Sequence, residues 1–162
     1  MAATYEPIAT TTLGSAQSSV TFNSFSGYTD IIIVIASKST GAGDNINIQF
    51  NNETTGTNYS TTYMYGDGSS AWSGRFSNTN YSWAGRTTNS TWTNSIVQLQ
   101  NYANTSTYKT LLYRGNDSTV GPFAGVSLWR STSAITTIKL TTGSGSNWVA
   151  DSMFTIYGIK AA

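Results

Sequence analysis

The sequence predicts an all-β fold, an antiparallel jelly-roll-like β-sandwich of about eight to ten short strands with little or no helix. Three observations predict it. Apolar residues recur at every second position over short runs, as in Ile46, Ile48, Phe50 and again in Ile138, Leu140, the period of a half-buried strand. Clusters of Gly, Asn, Asp and Ser separate these runs and supply turn chemistry. Ser, Thr and Asn make up about 40% of the chain and aromatic residues 13%, a palette that favours strands over helices. No window sustains a 3.6-residue period, and no run reaches the roughly 18 apolar residues of a membrane helix.

At 162 residues the chain is read as one domain, 1–162, large enough for a core without staples. Tyr5 to Leu13 contains Pro7, which cannot donate to a ladder, so it is an edge strand or an extended arm (about 1–13). Val20–Phe22 is a short strand. Ile31–Ile35 is apolar at every position, so both faces of this strand need cover. The N-terminal arm or a long loop supplies it, or another subunit does. Asn45–Phe50 alternates cleanly, with Ile46, Ile48 and Phe50 inward.

Residues 51–94 form an aromatic-rich excursion almost free of aliphatic residues, in which the alternation Tyr59, Thr61, Tyr63, Tyr65 marks one further strand. Ile96–Asn101 and Tyr108–Arg114 are antiparallel partners, although Leu111 and Leu112 point to opposite sides. Val126 and Leu128 alternate with Ser127 and Trp129. The closing run pairs a strand at Ile138–Leu140 with a returning strand through Phe154 and Ile156, across a turn at Gly143 and Gly145. So apolar an ending predicts a central strand that closes a sheet.

The chemistry is narrow. The chain has no histidine and no cysteine, which removes the commonest general base, the commonest metal ligand and any thiolate site. The seven acids stand singly beside Gly, Asn or Ser, as turn residues do. Oxygen ligands for calcium at Asn51, Asn52, Glu53 or Asp67 match no known spacing. Neither catalysis nor a cofactor is predicted. A net charge of +1 offers no field for nucleic acid, and neither membrane contact nor a signal peptide is expected. The N-x-[ST] matches are those that a chain rich in Asn, Ser and Thr produces by chance.

Two groups of residues are candidates for partner contact. Tyr5, Ile8, Ile32 and Val34 would form an oligomer or capsid interface. Trp72, Arg75, Tyr81, Trp83 and Arg86 would contact a partner or stack on a glycan. The alternative for the aromatic group is that its rings pack on the sandwich and hold the excursion down.

The opening Tyr5-Glu6-Pro7-Ile8-Ala9-Thr10-Thr11-Thr12-Leu13, the middle Ile48-Gln49-Phe50-Asn51 and Thr57-Asn58-Tyr59-Ser60, and the ending Ile135–Leu140 with Ser152–Ile159 resemble a group of small structural proteins of tailed bacteriophages, especially those infecting cyanobacteria. The resemblance spans essentially the whole chain, is most specific at its two ends and shares no functional-residue motif. It implies a jelly-roll-like virion component without catalysis, a homotrimer, serving as a head decoration or cement protein or as part of a tail or fibre. The expected partners are then further copies of itself and the major capsid protein. The expected location is the capsid exterior, after synthesis in the bacterial cytoplasm. The absence of heptads or an internal repeat favours the head over a fibre shaft.

Overall fold

The computed structural model describes residues 5–160. They form twelve strands in two antiparallel sheets, with no helix. In spatial order the larger sheet holds β1 (Tyr5–Thr12), β12 (Met153–Ile159), β3 (Asp30–Ser37), β8 (Thr93–Leu99), β9 (Lys109–Asp117), β10 (Gly121–Trp129), β5 (Tyr59–Gly66) and β6 (Ala71–Thr79). The smaller sheet holds β2 (Ser19–Asn23), β11 (Thr137–Thr142), β4 (Asp44–Phe50) and β7 (Ser82–Thr87). The all-β sandwich expected from the sequence is what the chain adopts.

Alternation sets the core. Ile31, Ile33 and Ile35 of β3 are fully buried, as are Ile46, Ile48 and Phe50 of β4, Ile138 and Leu140 of β11, and Phe154 and Ile156 of β12. They join one cluster between the sheets. Removing apolar side chains of this size from water contributes about 1.5–3 kcal/mol each. At one end of the sandwich Lys109 is buried. Its ammonium donates to the carbonyls of Thr107 at 2.9 Å and Thr132 at 3.3 Å, which anchors the loop after β10. Burial away from any carboxylate pushes its pKa down.

Three expectations need correction. The excursion at 51–94 carries β5, β6 and β7 and is the source of the strands beyond ten. Polar and aromatic residues suffice there because Tyr and Trp fill the inner face in place of aliphatics. The closing run is not a hairpin, since β11 lies in the smaller sheet and β12 in the larger. Between them Trp148 exchanges backbone hydrogen bonds with Gln17 and packs its buried ring against Phe154, centroids 4.6 Å apart. This indole carries the chain across from one sheet to the other. Finally, β1 does not cover the second face of β3. It pairs edge-on with β12, with a bulge between Pro7 and Ala9.

The sandwich is lopsided. β7, the edge of the smaller sheet, packs against β8, β9 and β10, and β6 projects past it. Aromatic rings compensate. Gly125 sits opposite Tyr113, and Gly74 opposite Tyr63. A Cβ at either glycine would come within 2.3 and 2.6 Å of the tyrosine oxygen. The glycines therefore let the rings lie flat across the neighbouring strand.

Candidate docking surface

Register alone gathers apolar side chains, set among polar ones, into rows on the outward face of the larger sheet. Reading across the strands, one row runs Tyr157, Ile32, Gln98, Leu112, Val126, Thr62, Arg75. The next runs Thr155, Val34, Ile96, Arg114, Ala124, Met64, Ser73. Ile32 is covered by its neighbours on this face, but Leu112 is 38%, Val126 44% and Met64 63% exposed. No described element lies over these rows.

The small side chain of Ala124 opens a hollow of about 320 Å³ bounded by Met64, Ile96, Leu112, Arg114 and Val126. Two further hollows adjoin it. One of about 430 Å³ shares Ile96 and Arg114, and one of about 350 Å³ shares Met64 and Ala124 and extends to Ala71 and Pro122. Exposed apolar side chains gathered around adjoining hollows and rimmed by polar residues are the pattern of an interaction site.

The charge on this face is one-sided. Arg75 and Arg114 are exposed, and neither has a carboxylate partner among the described residues. The one outward carboxylate of the eight strands is Asp30, at the margin, where it accepts from the Asn101 amide at 2.7 Å.

Of the first predicted group, Ile32 and Val34 lie in the rows just described. Tyr5 is 57% exposed at the far edge, opposite Ile159. Ile8 sits at the β1 bulge and packs against the core instead.

The second group is dispersed. Arg86 is directed inward, its Nε 3.3 Å from a carboxylate oxygen of the fully buried Asp117. Trp83 is packed between Tyr63 and Phe76, at centroid distances of 4.6 and 4.8 Å. Tyr81 rests on Phe76. Arg75 points to the opposite, outward face. Trp72 is 52% exposed and stacked on Tyr65, and its indole N–H reaches Asp67 at 3.4 Å. Asp67 is held at a pKa of about 2 by the amides of Ser70 and Ser69 and the Ser69 hydroxyl, from which it accepts in the turn between β5 and β6.

Sequence reasoning passed over Leu112, Ile96, Arg114, Val126 and Met64. The signal was the Leu111–Leu112 doublet, which requires one leucine outward just as Ile31–Ile35 requires outward isoleucine and valine. On β10 the inward residues prove to be Ser127 and Trp129, with Ser127 bonded to Thr61 at 2.8 Å, so Val126 and Leu128 face out. Among the described residues no three acidic side chains come together as a metal site would need. Compared with the models of known protein families and with curated proteins, the sequence matches none.

Proposed function

We propose that the chain is a virion structural protein, a head decoration protein that binds across the joints between major capsid subunits. The observation that carries this reading is the outward face of the eight-stranded sheet. Leu112, Val126 and Met64 stand exposed on it, flanked by the partly buried Val34 and Ile96, with no described element lying over them. Eight strands give a face roughly 34 Å by 23 Å, close to the roughly 800 Å² that each partner contributes to an interface of standard size. The resemblance of the two ends of the chain to phage structural proteins supplies the particle. The mechanism is mechanical: a ligand that binds the assembled shell and not its free subunits stabilises the shell by mass action.

A tail role with Trp72 stacking on a host glycan is the second reading, favoured by that indole's exposed face and its fixed orientation over Asp67. Quantitative mass spectrometry of purified particles separates the two. Decoration gives hundreds of copies in a simple ratio to the capsid subunit. A few to a few tens would mean a tail component, and absence from particles would remove both readings.

A further inference from the structure

The sheets end in four edge strands, and three of them are blunted in ways that discourage pairing. β1 carries Pro7 and a bulge. β2 is five residues long. β7 is interrupted opposite Ile46 and Asn47, where Ala84 is left without a partner. β6 is different. Its ladder with β5 is regular from Ala71 to Ser77, with the one irregularity at Asn78, beyond the end of that stretch. No proline interrupts it, and Arg75 is its one charged residue.

We propose that β6 pairs antiparallel with β6 of a second copy about a two-fold axis through Gly74. The side chains specify the register. With Gly74 opposite Gly74, all seven ladder residues of each strand find partners, because Gly74 is the midpoint of Ala71–Ser77. On the inner face Trp72 then stands opposite Phe76 of the partner, and Phe76 opposite the partner's Trp72, an aromatic pairing that stabilises sheets. On the outer face Arg75 stands opposite Ser73. Shifting the register by one step to place Arg75 opposite Arg75 would set like charges face to face, which is unfavourable, and would draw the irregular Asn78 into the ladder.

The pairing also accounts for the exposed Trp72 and the partly buried Phe76 of the overhang. Trp72 stacks on Tyr65, and Phe76 packs on Trp83, but both lie on the projecting margin of the larger sheet. A second overhang alongside would cover them. The outward faces of the two copies would become one continuous surface, because pairing at an edge preserves the direction in which each face points. This contact lies at the strand edge beside the docking surface proposed above and shares Ser73 and Arg75 with the ends of its rows; a trimer would have to use a different surface.

The test needs only the purified protein. Sedimentation velocity should give a two-copy species. Ser73→Glu, which sets a carboxylate opposite Arg75 twice per dimer, should tighten it, and Ser73→Arg should weaken it, each by roughly two- to thirty-fold in Kd. Ser73 is exposed and faces outward, so neither variant threatens folding. The chain has no cysteine, so disulfide trapping reads the register directly. An oxidised mixture of Ser73→Cys and Arg75→Cys chains should yield cross-linked heterodimers, while each variant alone stays uncross-linked. A monomer at every concentration, or a trimer indifferent to both Ser73 changes, would overturn the proposal. So would self-cross-linking of the Arg75→Cys chain.

Discussion

Trp148→Ala is expected to lower the free energy of unfolding by about 3–5 kcal/mol, the range for deleting a large aromatic from a close-packed core. That is a large share of the 5–15 kcal/mol of a typical domain. Trp148 is fully buried, packs on Phe154 and holds the segment that leaves β11 in one sheet and enters β12 in the other. Alanine would leave a cavity where the chain changes sheets. Its indole N–H has no hydrogen-bond partner, so the loss is one of packing rather than polar contact. Trp148→Phe should therefore cost clearly less than Trp148→Ala. Urea denaturation followed by the remaining tryptophans measures both. Equal losses would mean that the nitrogen, not the ring, does the holding.

Asp117→Ala is the second large effect, about 3 kcal/mol, at the lower end of the range for breaking a buried ion pair because Arg86 keeps some contact with solvent. Asp117 is fully buried. It accepts from Arg86 Nε at 3.3 Å, from the Thr119 amide at 2.9 Å and from the Thr119 hydroxyl at 2.6 Å. Its removal leaves Arg86 directed into the sandwich without an anion and the β9–β10 turn without its acceptor. Replacing both members, Asp117→Leu with Arg86→Met, should recover much of the loss, since a buried pair contributes little beyond an apolar substitute. Thermal unfolding of the single and double variants decides it. A double variant as unstable as the single one would show that the Thr119 contacts dominate.

How much of this was legible follows from where the alternation was clean. β4 and the inner faces of β8 and β12 were read correctly because apolar residues recur there at every second position. The region 51–94 was legible only in part. β5 announced itself through Tyr59, Tyr63 and Tyr65, but β6 and β7 set the partly buried Phe76 and Trp83 among Ser, Gly and Arg, with no aliphatic period to find. The pairing of β11 with β12 was misread because a glycine-rich turn signals a hairpin, whereas Trp148 redirects the chain between sheets. Pairing is non-local information, and the local pattern does not hold it. The docking surface was half legible. Ile32 and Val34 stood out in an unbroken apolar run, while Leu112, Val126 and Met64 come together with them only through the order β3-β8-β9-β10-β5. Arg86 looked like a surface contact until its buried partner was known.

The central claim is that the outward face of the larger sheet is a docking surface and not an accident of composition. The most direct measurement is the occupancy of the triple variant Leu112→Ser, Val126→Thr, Met64→Ser on particles, counted by quantitative mass spectrometry beside the unaltered chain. All three side chains are more than a third exposed, so the variant should fold with a stability within about 1 kcal/mol of the original. Docking through this face predicts that its occupancy falls at least tenfold, a loss of about 1.4 kcal/mol or more in binding. A correctly folded variant that occupies particles as fully as the original would contradict the account.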